Sequence, residues 1–495
     1  MNGCFAAFLI LFAQDACAAL LRRESKPVPV VTPLLPRGSR YRQLPRPSAP
    51  FMTTPGMEVS PRQFQDLMRH TSTGRKRRHG LRKSLFGSYG AESDVGEVHG
   101  ILRLEDLSSA EYVGVLGVGT SRNCTKNQTS RGEVCASPAA ELRVVFDTGS
   151  SDLWVASDLC TLGPCAFPKR HRFNRSHSRT FHQEAHPERF ETEYGSGRLS
   201  GVLGFDDIFV GPFRVKSQSL GLISEESGDA FAAFPIDGIV GLAFSALSVK
   251  TSIVPLLDHL VEERAMPKPE FAFYLHKDPS KGGAVIWGGG AERLGLHNGE
   301  MMWFPIPEER YWSLSLQGFR LGGEQDVLDL LLPQKPQRGD GPVFFGQDRP
   351  KSAVLLVDSG TTFFTAPRRL FNKISEKVWP MNCDKIHTLP EFVFTVGTNL
   401  SNYSAVQEIR VPPSVYMIRN AFTGDCMPGI MNMEYGSHDR PFMILGEIFL
   451  RHYFSVFQKG APGDSWLGLA PAREGAEAEK KLLLAQQMTD SLSRP

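Results

Sequence analysis

The chain has 495 residues, 41% of them hydrophobic, and a net charge of +2. Such a chain can bury a large core in about two domains, and so small a net charge gives no global case for nucleic acid or an acidic polymer as partner. Its 35 prolines and 47 glycines, with short apolar runs between them, point to a mainly β, turn-rich protein.

Residues 1–19 read as a secretory signal: Phe5 to Ala13 form a short apolar run, and Ala16-Cys17-Ala18 resembles a small-residue cleavage site. No basic stretch precedes the run. A signal anchor would need a longer apolar segment, and Asp15 interrupts this one. No later segment is apolar enough to span a bilayer, and the terminal "MTDSLSRP" offers no lipid-anchor signal, so no membrane anchor is expected. Residues 20–95 are rich in Pro, Arg and Ser and include the basic run "GRKRRHGLRK". They read either as a solvated linker or as a propeptide whose positive charge could lie over an acidic cleft; the propeptide is the reading adopted. Strand-like sequence begins near Val98, with "EYVGVLGVGT" alternating around glycines.

If Cys4 and Cys17 leave with the signal, six cysteines remain. Fifteen connectivities are open to them; locality favours Cys124–Cys135, Cys160–Cys165 and Cys383–Cys426. The spacings fit no zinc finger and no histidine pair accompanies them, so no metal is expected. Sequons at Asn123, Asn127, Asn174, Asn399 and Asn402 are compatible with a secretory compartment.

The chemistry is carried by a repeat. In "LRVVFDTGSSDLWV" an acidic residue, Asp147, ends an apolar run, where a buried carboxylate is unfavourable unless something satisfies it. The pattern returns at 353–366 as "AVLLVDSGTTFFTA", with Asp358 in the matching place. Each copy is followed by a second element in which two aliphatics precede a glycine, "IDGIVGLAF" (236–244) and "FMILGEIFL" (442–450). One Asp-Thr-Gly is usually a turn; two copies with matching flanks and followers indicate two lobes with paired carboxylates. No G-x-S-x-G elbow occurs, which argues against a serine hydrolase.

These motifs resemble those of the pepsin-like aspartic proteases over roughly residues 97–471. Among relatives the chain looks most similar to the plasmepsin-like processing enzymes of apicomplexan parasites, and the Cys124–Cys135 insertion suggests that branch. The resemblance implies a mainly β, bilobal fold with two pseudo-twofold related lobes and a cleft between them. It divides the chain into a signal (1–19), a propeptide (20–95), an N-terminal lobe (96–288), a C-terminal lobe (289–471) and a flexible tail (472–495). It further implies that Asp147 and Asp358 meet at the cleft floor. Two carboxylates that close share a proton and titrate as a pair. The ionised member can take a proton from water while the other hydrogen-bonds to the scissile carbonyl, so no cofactor is expected.

By the same resemblance, Gly149 and Gly360 let the backbone approach and supply N–H donors. Thr148 and Ser359 interlock the two loops, with Ser359 standing where Thr is commoner. Ser150 and Thr361 donate to the outer carboxylate oxygens, and Thr361, not being Ala, argues for an acidic working range. Tyr194, Gly195 and Ser196 match the tip of a flap that closes over substrate. Trp154 matches a residue that hydrogen-bonds the flap tyrosine. Phe231, Ile236 and Ile239 are expected to line an apolar pocket for the residue before the scissile bond, although plain core packing explains Ile239 nearly as well. In "GLRKSLFGSYG" (80–90), Lys83 matches an inhibitory lysine that reaches the dyad, or else belongs only to a basic linker. The segment 321–352 is an insertion, read as an extended surface loop.

The expectation is an aspartic endopeptidase, a monomer that acts on polypeptides and is held by its own propeptide. It would mature selected proteins in the secretory pathway, in an endosome-like or secretory organelle, or outside the cell. A general digestive acid protease is the alternative. An inactive peptide-binding member of the fold is less consistent with two intact motifs.

Overall fold

The computed structural model describes residues 100–106, 111–122, 137–194, 197–228, 231–232, 236–328, 353–402, 404–420, 424–433 and 442–492. The signal, the propeptide with Lys83, the Cys124–Cys135 insertion, flap residues Gly195 and Ser196, and most of the 321–352 insertion lie outside them.

Among the described residues strand predominates, in sheets of thirteen, seven and three strands. The residue pattern explains why. In Arg189–Tyr194 the side chains alternate, with Phe190, Thr192 and Tyr194 buried and Arg189, Glu191 and Glu193 exposed, the period of a strand with one wet face. Strands such as Glu270–Leu275 and Gly283–Trp287 are buried on both faces and read as continuous apolar runs.

Six neighbouring strands of the large sheet form an antiparallel platform, in the order Met302–Pro305, Trp466–Pro471, Tyr453–Gln458, Glu270–Leu275, Gly283–Trp287 and Gly100–Asp106. It takes three strands from before residue 288 and three from after it. Aromatic packing above it joins the halves: Phe271 stacks on Phe457 with centroids 4.7 Å apart, and Trp312 lies 4.6 Å from Phe244.

Each half carries the same local construction. Strand Pro138–Asp147 runs parallel to Gly238–Gly241, pairing Val144 with Gly238 through Asp147 with Gly241. Strand Ala353–Val357 runs parallel to Phe442–Leu445, pairing Val354 with Phe442 through Val357 with Leu445. The glycine that ends each apolar-apolar-Gly element has a steric reason. A Cβ on Gly241 would overlap the backbone of Ser151 and Asp152, and one on Gly446 would overlap the carbonyls of Thr361 and Phe363. Each motif loop is thus threaded against its follower strand too closely for any side chain.

Two of the three expected disulfides are present, Cys160–Cys165 and Cys383–Cys426; the third lies outside the described residues. The tail is a correction. Residues 476–492, expected to be flexible, form helix Ala476–Leu492. Ala478, Leu482 and Ala485 lie on one helical face and are buried against Ile101, Tyr274 and Ile286. Glu479 pairs with Lys281 at 2.6 Å. The composition "AEAEKKLLLAQQ" is strongly helix-forming.

Candidate active site

The two Asp motifs meet where their strands end, and their hydrogen bonds are near copies. Gly149 N–H donates to Asp147 Oδ1 at 2.8 Å, and Gly360 N–H to Asp358 Oδ1 at 2.9 Å. Ser150 Oγ donates to Asp147 Oδ2, and Thr361 Oγ1 to Asp358 Oδ2 at 2.7 Å. Each carboxylate therefore has one oxygen held by backbone and one by a hydroxyl. Each carboxyl influences the titration of the other. A Cβ on Gly360 would overlap the Asp147 carboxylate, so only glycine permits this approach.

Both carboxyls are buried, and burial is the largest influence raising each. The donors pull Asp147 back down, while the negative charge of Asp147 pushes Asp358 well above the usual carboxylate range. Two such groups cannot both ionise at low cost, so the pair retains a proton in mild acid.

Beneath the carboxyls the loops interlock. Thr148 Oγ1 donates to Val357 O (2.9 Å) and accepts from Ser359 N (2.9 Å). Ser359 Oγ donates to Phe146 O (2.6 Å) and accepts from Thr148 N (3.0 Å). Each hydroxyl thus ties its own loop to the strand end of the other motif. Thr148→Val removes one donor and orphans the buried Ser359 N–H, which should lower stability by about 2–4 kcal/mol. It should also reduce kcat by about tenfold or more, because carboxylate positioning is lost. Thr148→Ser keeps both bonds and should behave like the parent; thermal unfolding and steady-state kinetics on the two variants decide it.

Above the pair, Trp154 Nε1 donates to Tyr194 OH at 2.8 Å. Burial raises the Tyr194 phenol well above its usual range, and the charge of Asp147 raises it further. Phe231 meets Trp154 edge-on at 6.0 Å and Tyr194 at 6.3 Å. Tyr194, Trp154, Phe231, Ile236 and Ile239 belong to one apolar cluster. Phe231 and Ile236 come from the connection that precedes strand Gly238–Gly241. Ile239 is in that strand, opposite Val145 and Trp154, a core position.

Several polar residues near the site escaped the sequence reading. Asp152, inside the first motif, accepts from Val249 N–H at 2.9 Å, and burial pushes its carboxyl up to about 6. Glu447 accepts from Tyr112 N–H at 3.0 Å and lies 3.4 Å from Arg451; burial pushes it up to about 8 against the pull of that arginine. Glu111 is buried with neither carboxyl oxygen hydrogen-bonded. Burial, Glu447, Asp147 and Asp358 all raise it well above its usual range. Burial likewise raises Tyr311, which feels both Asp358 and Asp147. The one visible signal was an acidic residue inside an apolar run, as in "FMILGEIFL".

Comparison with known proteins defines the class. Residues 134–472 match the eukaryotic aspartyl protease family. Gastricsin from Callithrix jacchus is 31% identical over 366 residues, 72% of this chain and 80% of that protein. Pepsin A from Bos taurus is 29% identical over 377 residues, 74% of this chain and 86% of that protein. Aspartic protease 3 from Toxoplasma gondii is 31% identical over 379 residues, 75% of this chain but 51% of that longer protein. This chain therefore belongs to the eukaryotic aspartyl protease family, pepsin-like in fold and with an apicomplexan relative among its matches. It is an aspartic endopeptidase, a hydrolase acting on polypeptides.

Proposed function

We propose that Asp147 and Asp358 are the catalytic pair of this endopeptidase, and that its work is limited processing of secretory-pathway proteins. The observation that carries the first part is the meeting of two buried carboxyls, each donated to by its own glycine N–H and hydroxyl, with Gly360 of one motif against the carboxylate of the other. In this reading the ionised member takes a proton from water as its oxygen attacks the scissile carbonyl carbon. The protonated member hydrogen-bonds to the carbonyl oxygen, where charge develops. The tetrahedral adduct collapses as a proton passes to the amide nitrogen, the C–N bond breaks, and the pair again holds one proton. Tyr194, with the flap residues Gly195 and Ser196, covers the substrate. Phe231 and Ile236 receive the side chain before the scissile bond, and Ile239 supports them from the sheet.

The processing role is supported by the likeness to the apicomplexan relative, by the disulfides Cys160–Cys165 and Cys383–Cys426 and by the signal-like N-terminus. No helix among the described residues is long and apolar enough to cross a membrane. The similar identity to pepsin A and gastricsin keeps a digestive role as the second reading. Mapping of new protein termini in cells with the parent enzyme or Asp358→Ala separates the two. Processing predicts a short set of sites in secretory cargo with a shared motif. Cleavage of many proteins at unrelated sites would favour digestion.

A further inference from the structure

Behind Phe231 lies an ion pair that the mechanism does not use. Arg170 follows the disulfide-closed turn at Cys160–Cys165, and its backbone N–H donates to Phe167 O at 2.9 Å. Its guanidinium meets Glu226, near the end of strand Phe213–Ser227, through two parallel bonds: Nη1 to Oε2 at 3.0 Å and Nη2 to Oε1 at 2.8 Å. Both side chains are buried, 1% and 0% exposed. Nη1 has a further partner at 3.4 Å, the backbone carbonyl of Phe231.

We propose that Arg170 and Glu226 are positioning residues for the substrate pocket: together they pin the Phe231 turn to the adjoining strand and so set the width of the wall that Phe231 presents. The inference rests on the assignment of Phe231 to that pocket. The physical case begins with cost. A fully buried ion pair gains little net stability over apolar residues of the same volume. What a planar guanidinium adds is direction, because its fork fixes a carboxylate in two places and still offers a donor elsewhere. Here Nη1, besides its bond to Glu226, reaches the carbonyl of Phe231, whose ring packs edge-on against Trp154 and Tyr194. Only five positions separate Glu226 from Phe231. Clamping strand end and turn with one side chain restricts how far the ring can swing. Lysine cannot do this: it supplies the charge without the fork.

The consequence is selectivity for the size of the side chain before the scissile bond. The test uses the mature enzyme and paired peptides that differ only in Phe or Ala at that position. Arg170→Lys should raise KM for the Phe peptide and leave kcat within about twofold, narrowing the Phe-to-Ala ratio of kcat/KM by about tenfold. The double variant Arg170→Met/Glu226→Leu replaces the pair by apolar volume. It should unfold near the parental temperature and show the same narrowing. Phe231→Ala reports on the pocket itself and should collapse the ratio. If Phe231→Ala collapses the ratio while both other variants keep it, the pair only supports the fold and the inference is overturned with the pocket assignment intact. If Phe231→Ala leaves the ratio unchanged, the pocket assignment fails and the inference falls with it.

Discussion

Asp358→Ala should reduce kcat/KM by about 10⁴-fold or more, and Asp147→Ala should do the same. Neither residue can act alone in the proposed mechanism. Loss of either carboxyl leaves the pair without its base for the water or without its donor to the carbonyl oxygen. Because the two act as one unit, the double variant should be little worse than either single one, and summed effects would greatly exceed the measured loss. The surroundings should survive, since Gly149, Ser150, Gly360 and Thr361 keep their backbone positions through the parallel pairings beneath them. Alanine also relieves the burial of a carboxyl, so each single variant should fold at least as well as the parent above neutral pH. Turnover within about a hundredfold of the parent in either single variant would contradict the two-aspartate mechanism.

Conformational stability should fall as pH rises from about 4 to about 8, by several kcal/mol. The sign follows from the direction of the shifts. Asp358, Glu111, Glu447 and Asp152 are all raised in the folded chain, with Glu447 at about 8 and Asp152 at about 6. The folded state therefore binds these protons more tightly than the unfolded one. The stability this contributes is complete below the unfolded carboxylate range and is lost as pH passes through each folded value. Asp152 alone, moving from 3.8 to about 6, corresponds to roughly 3 kcal/mol. That is a large share of the net stability of an ordinary domain. Asp152→Asn keeps an acceptor for Val249 N–H and removes the titration. It should unfold like the parent at pH 4 and at a higher temperature at pH 7. An unfolding temperature that is flat from pH 5 to pH 8 in the parent would refute this reading of the buried carboxyls.

Much of the site was legible because its construction is local and duplicated. A strand that ends in Asp, a tight turn and a follower glycine are each encoded within a dozen residues, and the second copy removes the ambiguity of the first. The physical need for Gly241 and Gly446 became visible only with the loops of Ser151 and Thr361 packed against them. Asp152, Glu111 and Glu447 were missed because their character comes from burial and from like charges on distant segments, which composition does not show. Arg170 and Glu226 are 56 positions apart and look like ordinary surface charges in the sequence. The platform that joins the lobes takes strands from residues 100 to 471, beyond any local periodicity. The C-terminal helix was within reach of the sequence: its composition favours a helix, and Ala478, Leu482 and Ala485 recur at helical spacing.

The most direct measurement is the pH dependence of kcat/KM for the mature enzyme, taken from initial rates between pH 3 and pH 8 before any unfolding occurs. One proton shared by Asp147 and Asp358 predicts a bell, because the pair is inactive both when it carries two protons and when it carries none. The maximum should lie in the acidic range, and both limbs should belong to the pair. A rate that continues to rise through pH 8 would contradict the proton-sharing dyad and with it the proposed mechanism.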